Sequence, residues 1–348
     1  MIRDRRVLMA PALLLALVGC EPHHEPRVAV RHVPSAARPA AYAITGVEPL
    51  SFPFGEDTLA PFVTADGNRG FLISWLDKRA SSMNFSTFRG GRWFQPRTIA
   101  TGKMLINRAN FPSIAADHGS LYAQWIEQNG IGSVIRISRS SNGGGSWSTP
   151  ITPHPSMTSQ FGFVSMAIAT DGNLNAAWLD GRGLPDGEEG AGDMQLHYAS
   201  LTGEAPAAAD TMLDPRVCDC CQTAMAITAE GPIVAYRDRS PSEIRDIAVV
   251  RRTASGWSAP KTLHADGWKL SGCPVNGPQL AASGPNVAVV WYSAADGKPR
   301  VQVAFSRNAG VTFSDPIRVD EQHAAGHVGV ALLADGSVIV TWVEQRAG

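Results

Sequence analysis

A short apolar run ending in an aromatic residue recurs six times along the chain, and this repeat restricts the fold more than any other feature. The runs are Gly70-Phe-Leu-Ile-Ser-Trp75, Ser120-Leu-Tyr-Ala-Gln-Trp125, Asn173-Leu-Asn-Ala-Ala-Trp178, Pro232-Ile-Val-Ala-Tyr236, Asn286-Val-Ala-Val-Val-Trp291 and Ser337-Val-Ile-Val-Thr-Trp342. Their final aromatics are spaced 50, 53, 58, 55 and 51 residues apart. A small-residue turn precedes each run, such as Ala65-Asp66-Gly67 or Thr170-Asp171-Gly172, and another apolar stretch precedes each turn. Strand, Gly-containing turn and strand is a hairpin signature. Repeats of this length that carry several strands each are read as radially arranged sheets. The chain's 34 Gly and 24 Pro among 348 residues fit many tight turns and few helices.

A second signal lies in the later half of several units. Ser140-Ser-Asn-Gly-Gly-Gly-Ser-Trp147 and Ser306-Arg-Asn-Ala-Gly-Val-Thr-Phe313 share the pattern Ser-x-Asn-x-Gly-x-x-aromatic, and shorter versions end at Trp93 and Trp257. Each of the four aromatics is followed three residues later by Pro96, Pro150, Pro260 or Pro316. These residues resemble the Asp-box, or BNR, repeat of the sialidase superfamily, with Asn142 and Asn308 where Asp is usual. The resemblance spans about Pro49 to Gln345. It implies an all-β, six-bladed β-propeller of sialidase-like type over residues 42–348, with the boxes as structural turns away from the ligand-binding face. The sixth unit ends soon after its second strand, so the last blade is expected to be incomplete or closed by the N-terminal segment, for example around Ala43 to Leu50.

The first 19 residues read as a targeting segment. Arg3, Arg5 and Arg6 precede an apolar run from Val7 to Val18, too short for a membrane-spanning helix. The run ends in Leu17-Val18-Gly19-Cys20, which resembles a bacterial lipobox and implies lipidation at Cys20. Residues 20–41, with their Pro, Ala and His and no apolar period, read as a tether between membrane and domain. The implied location is the bacterial cell envelope, lipid-anchored at the outer membrane and facing the periplasm or the surface. A formal charge of −1 leaves no electrostatic footprint for nucleic acid.

Acids and arginines recur just after the second-strand aromatics: Asp77 and Arg79, Glu127, Asp180 and Arg182, Arg237 with Asp238 and Arg239, then Glu344 and Arg346. One reading is salt bridges between neighbouring blades. The other is a rim that clamps an anionic ligand, for which the planar fork of Arg is suited. The sialidase resemblance implies three Arg on a substrate carboxylate, an Asp as acid/base and a Tyr–Glu nucleophile pair. Candidates are Arg79, Arg182, Arg237, Arg239 and Arg346 for the clamp, Asp77 for the acid/base, and Tyr292 with Glu127 for the pair. The Arg-Ile-Pro signature of that family is absent here. The corresponding stretch reads Phe52-Pro-Phe-Gly-Glu-Asp-Thr58.

Four cysteines remain: Cys218, Cys220, Cys221 and Cys273. Aligning the repeats places Cys220 and Cys273 at one level of the innermost strands of adjacent blades, with Glu56, Asn107, Phe161 and Ala325 completing the ring. One step deeper, by period-two alternation, lie Gln222, Val275 and His327. In an oxidising compartment disulfides are expected, Cys220 with Cys273 being the natural bridge and Cys218 with Cys221 then either pairing or staying reduced. The alternative is a soft-metal site for Cu or Zn that adds His323 or His327. The Cys-x-Cys-Cys run is not read as the Cys-x₂-Cys of zinc modules. No other cofactor is expected. The functional expectation is an envelope lipoprotein whose propeller binds a glycan or small anionic ligand, with exo-glycosidase activity as its catalytic version. The alternatives are a propeller that binds an envelope protein, and a metal or redox protein built on the cysteines.

Overall fold

The computed structural model of the chain describes residues 28–33 and 49–345, apart from 68–69, 107–109, 131, 156–158, 185–192 and 204–208. Cys20 and Arg346 lie outside the described residues. Six antiparallel sheets follow one another along the chain, an all-β propeller-type architecture. The first four strands of sheet one are Thr58–Ala65, Phe71–Asp77, Ser82–Arg89 and Arg92–Trp93, and Arg97–Thr101 also pairs with the third. Sheet two runs from Ser113–Asp117 to Gly132–Ser140, sheet three from Phe161–Ile168 to Thr211–Val217, and sheet four from Ala224–Thr228 to Lys261–Thr262. Sheet five runs from Gln279–Ser283 to Ile317–Arg318, and sheet six holds Ala324–Leu332 and Val338–Glu344.

The repeated turns have a local cause. Gly172 takes φ 81° while Asp171 Oδ1 accepts the Asn173 N–H at 2.9 Å, and Asp335 does the same for Ser337. Glycine supplies the left-handed geometry and the aspartate satisfies the exposed donor. Such hairpins carry the second strands, whose aromatics are driven into the spaces between sheets. Trp125, Trp178, Trp291 and Trp342 are each at most 2 % exposed. Separate apolar clusters fill the junctions of sheets one and two, two and three, three and four, four and five, and five and six. A core divided among junctions, with each sheet touching only its neighbours, is what radial repetition requires.

The Ser-x-Asn-x-Gly turns also face these junctions. Asn142 Oδ1 accepts from Ser140 Oγ and Ser146 N at 2.9 Å each, and Asn308 repeats the pattern with Ser306 Oγ and Thr312 N at 2.8 and 3.0 Å. A Cβ added at Gly144 would stand 2.2 Å from Phe85 of sheet one, and one at Gly310 would stand 2.4 Å from Ile233 of sheet four. The turns are therefore sockets for the preceding sheet.

Sheet six gains its third strand from the N-terminal side. Val28–Val33 pairs antiparallel with Val338–Glu344, from Val28 opposite Val343 to Val33 opposite Val338. This strand falls within the stretch 20–41 that reads as a tether in the sequence, while most of the segment Ala43 to Leu50 suggested for closure lies outside the described residues. Val338–Glu344 would otherwise present an open edge. The Val-Ala-Val-Arg-His-Val run that covers it is short and surrounded by Pro and His, which hid it.

Candidate functional site

The acids that follow the second-strand tryptophans already have partners. Trp125 Nε1 donates to Glu127, Trp178 Nε1 to Asp180 and Trp342 Nε1 to Glu344, each at 2.9 Å. A buried indole needs an acceptor, and an acid two residues on supplies it. Glu127 also accepts from Arg136 Nε at 2.8 Å. Asp77 instead accepts from Ser81 N, Ser81 Oγ and Ser82 N at 2.6 to 2.8 Å. The Ser81 hydroxyl and these amides lower its carboxyl below the usual range, the reverse of what a proton donor needs. Tyr292 lies in sheet five, its ring edge-on to Trp268 at 5.6 Å, and burial raises its phenol. It does not pair with Glu127, which belongs to sheet two.

The candidate arginines divide in the same way. Arg237 is 1 % exposed and donates to the carbonyls of Asn276, Arg245 and Tyr292, with Trp268 beneath it at 4.7 Å. Burial pulls it below the ordinary guanidinium range, and it is a strut between sheets four and five. Arg182 bonds Asp180 at 2.8 and 2.9 Å and also Asp210, beside His197. The Asp180 and Asp210 carboxylates raise it above its ordinary value. Burial lowers the His197 imidazole. Arg79 is exposed on the hairpin after Asp77. Arg239, its own side chain 15 % exposed, stands in a cluster whose outer members, Arg216 and Asp193, are more open to solvent.

That cluster was not legible in the repeat, because half of it comes from the turn after Arg239. Glu243, in a left-handed conformation with φ 61°, accepts from Arg239 Nε at 3.0 Å, Arg245 Nη2 at 3.0 Å and Arg216 Nη2 at 3.2 Å. Arg239 leads the forces that hold the Glu243 carboxyl below its usual value. Asp193 is a looser partner, 3.4 Å from Arg216 and 4.0 Å from Arg239, with 43 % of its side chain exposed. Arg245 also reaches Asp219 at 3.1 Å. Through Asp219 the cluster borders a cavity of about 360 Å³, whose wall includes Gln128, Ser133, Gln160, Phe161, Phe163 and Cys220. Gln128 and Ser133 come from the hairpin between the second and third strands of sheet two, and the others from the loops leading into the first strands of sheets three and four and from the start of sheet three, so the cavity lies at one end of these sheets, the mouth. A narrower cavity of about 150 Å³ is lined by the first strands of sheets one to five.

The mouth is shaped by distorted backbone. Ala60, Phe163 and His327 have φ of 50°, 55° and 49°, at register shifts in the first strands of sheets one, three and six. Val275, just before the first strand of sheet five, has φ 51°. Period-two alternation therefore fails where it was used to place Val275 and His327 on one inner face. His327 is exposed, and its N–H donates to Asn276 Oδ1 at 2.8 Å. Bulges re-aim side chains and gather beside functional sites.

The cysteines form two disulfides. Cys220–Cys273 joins sheets four and five across a Cα separation of 6.0 Å, the bridge expected from the alignment. Cys218–Cys221 spans 5.7 Å and has Cys-x₂-Cys spacing, which the reading of the run as Cys-x-Cys-Cys overlooked. Among the described residues, three groups of side chains are close enough to share an ion: Cys218/Cys220/Cys221, Asp219/Cys220/Cys273 and Asp180/His197/Asp210. His327 belongs to none of these groups, and the Arg182 guanidinium already sits against the third.

No protein-family model and no curated protein matches the sequence. Solved structures do. A PL25 ulvan lyase, a polysaccharide lyase bound to -[GlcA(1-4)Rha3S]-, matches at 12 % identity and TM-score 0.54 over 85 % of this chain and 80 % of its own. A protein of unknown function from Dyadobacter fermentans matches at 12 % identity and TM-score 0.50 over 83 % and 95 %. These likenesses establish the fold.

Proposed function

We propose that the chain binds a glycan at the mouth of the ring, over sheets two to four. The observation that carries this reading is the 360 Å³ cavity itself. Its wall combines the exposed amides of Gln128 and Gln160 with the half-buried ring of Phe163, while the buried Ser133 hydroxyl and Phe161 ring, bonded to the Phe161 backbone and stacked on His154, support the wall from behind. Sugars are recognised by this combination, because hydroxyls pair with fixed amides while ring C–H faces stack on aromatics. Arg216 and Arg239 stand at the edge of the same mouth, and their contacts to Asp193 are long and half open. Such exposed pairs contribute little, so a uronate or sulfate on the ligand can take the place of Asp193. The ulvan lyase, itself bound to a uronate-containing sulfated oligosaccharide, supports an anionic polysaccharide as the first class to test. In this reading Cys20 carries the lipid that holds the domain in the bacterial envelope.

The test is calorimetric titration with sulfated, uronate-rich, sialylated and neutral oligosaccharides. An anionic glycan should bind saturably, and Gln128→Ala with Gln160→Ala should weaken it about tenfold, because each replaced amide removes roughly 0.5–1.5 kcal/mol. Absence of saturable binding to all four classes at millimolar concentration would sink the proposal.

A further inference from the structure

The two disulfides are set in series from solvent to interior. Cys273 is exposed and Cys220 lines the mouth cavity, whereas Cys218 and Cys221 are 0 % and 2 % exposed. Between the two pairs, Cys218 Sγ and Cys220 Sγ lie 3.8 Å apart without being bonded. Arg245, itself 3 % exposed, directs Nη1 to Cys218 Sγ at 3.4 Å while paired with Asp219 and Glu243. Two structural staples would require neither the sulfur contact between them nor a buried guanidinium beside one sulfur. A cation in that position draws an incoming thiolate toward Cys218 Sγ and offsets the negative charge that builds up as the attacked bond breaks.

We propose that the four cysteines form a thiol–disulfide exchange site whose substrate is an exposed dithiol of a peptide or protein. A substrate thiolate attacks Cys273 Sγ, a mixed disulfide forms, and the Cys220–Cys273 bond breaks with its electron pair on Cys220. The Cys220 thiolate attacks Cys218 Sγ across the 3.8 Å gap. A Cys218–Cys220 bond forms, the Cys218–Cys221 bond breaks, and Cys221 leaves and takes a proton from water. The second substrate thiol gives its proton to water and attacks the substrate sulfur of the mixed disulfide, expelling Cys273 as a thiolate that takes a proton from water. The substrate dithiol loses two electrons and two protons in total. The chain ends with one disulfide and thiols at Cys221 and Cys273. Exchange of this kind depends on access to the first sulfur and on a nearby resolving thiolate, which the exposed Cys273 and the Cys218–Cys220 contact supply. In the reverse transfer the Cys221 thiolate attacks Cys218 Sγ and expels Cys220, so Cys218 is the central sulfur in both directions and Arg245 stands beside it in each.

The site is tested on the oxidised full chain treated with one equivalent of dithiothreitol, quenched in acid, alkylated and mapped by mass spectrometry. The expected pattern is alkylation at Cys221 and Cys273 together with a Cys218–Cys220 cross-link. Alkylation at Cys220 and Cys273 with Cys218–Cys221 intact would overturn the relay, as would no alkylation at all. A Cys218→Ala, Cys221→Ala variant keeps the outer disulfide and loses the resolving pair. It should oxidise a reduced two-cysteine peptide about tenfold more slowly than the parent. An unchanged rate in a variant that melts cooperatively would also overturn it, and if the variant does not fold the mapping of the parent decides alone.

Discussion

At three of the four second-strand tryptophans with an acid two residues on, that acid meets the indole N–H before it meets any ligand, Asp77 beyond Trp75 being the exception. Glu127, Asp180 and Glu344 are all committed in this way, and Asp266 does the same for Trp291, where residue 293 is a serine. The repeat thus made these acids conspicuous for a reason that belongs to the core. Asp238 escapes because its strand ends in Tyr236, whose hydroxyl donates to Asp214 at 2.5 Å. It is left half-buried beside two other carboxylates, and its carboxyl rises from 3.8 to about 6. A folded value above the unfolded one means that the protonated form stabilises the fold. That contribution is complete below pH 4 and fades as the pH rises through about 6. Asp238→Asn stays neutral throughout. Its melting temperature should match the parent near pH 4 and exceed it at pH 8, and a gap that fails to widen between pH 5 and pH 8 would show that Asp238 does not carry the shift.

Between neighbouring strands, three side chains clasp one sheet to the backbone of another. Asn110 Oδ1 accepts from Phe163 N at 3.0 Å, Gln222 Oε1 from Gly277 N at 2.9 Å and Asn276 Oδ1 from His327 N at 2.8 Å. The last approach is so close that a Cβ at Gly326 would stand 2.0 Å from Asn276. Asn276→Ala leaves the His327 amide at a distorted bulge without its acceptor. The expected cost is about 1–3 kcal/mol, read as a lowered denaturation midpoint together with faster hydrogen exchange at His327. Faster exchange spread evenly over all six sheets would mean that the clasp is not local to sheet six. Strand positions and hairpin turns were readable because apolar alternation and Gly turns are local. The bulges at Ala60, Phe163 and His327 were not, because they answer to a neighbouring sheet distant in sequence. Glu243 was missed for another reason: it gathers Arg239 and Arg245 from its own turn and Arg216 from the last strand of sheet three, and no repeat position marks that turn.

At the scale of the ring, each sheet is held by an apolar junction with the next, and the chain's own order sets the order of sheets. The described junction clusters run from sheets one and two to sheets five and six. Sheet six is the one whose strands come from both ends of the described chain, since Val28–Val33 pairs with Val338–Glu344 over six residues. The repeat left the sixth sheet as either incomplete or closed by the N-terminal segment. The strand at Val28–Val33 went unread because six residues with a single Arg and His carry too little pattern to stand out. Ladder bonds contribute about 0.5–1.5 kcal/mol each, so losing this strand should remove several kcal/mol from the last sheet to form. Deleting residues 28–33 while keeping the rest should therefore lower the melting temperature by at least about 5 °C. The exposed Val338–Glu344 edge should also drive self-association, visible as a concentration-dependent sedimentation coefficient. An unchanged melting temperature and a monomeric profile would mean that sheet six holds with two strands and that the N-terminal strand does not close the ring.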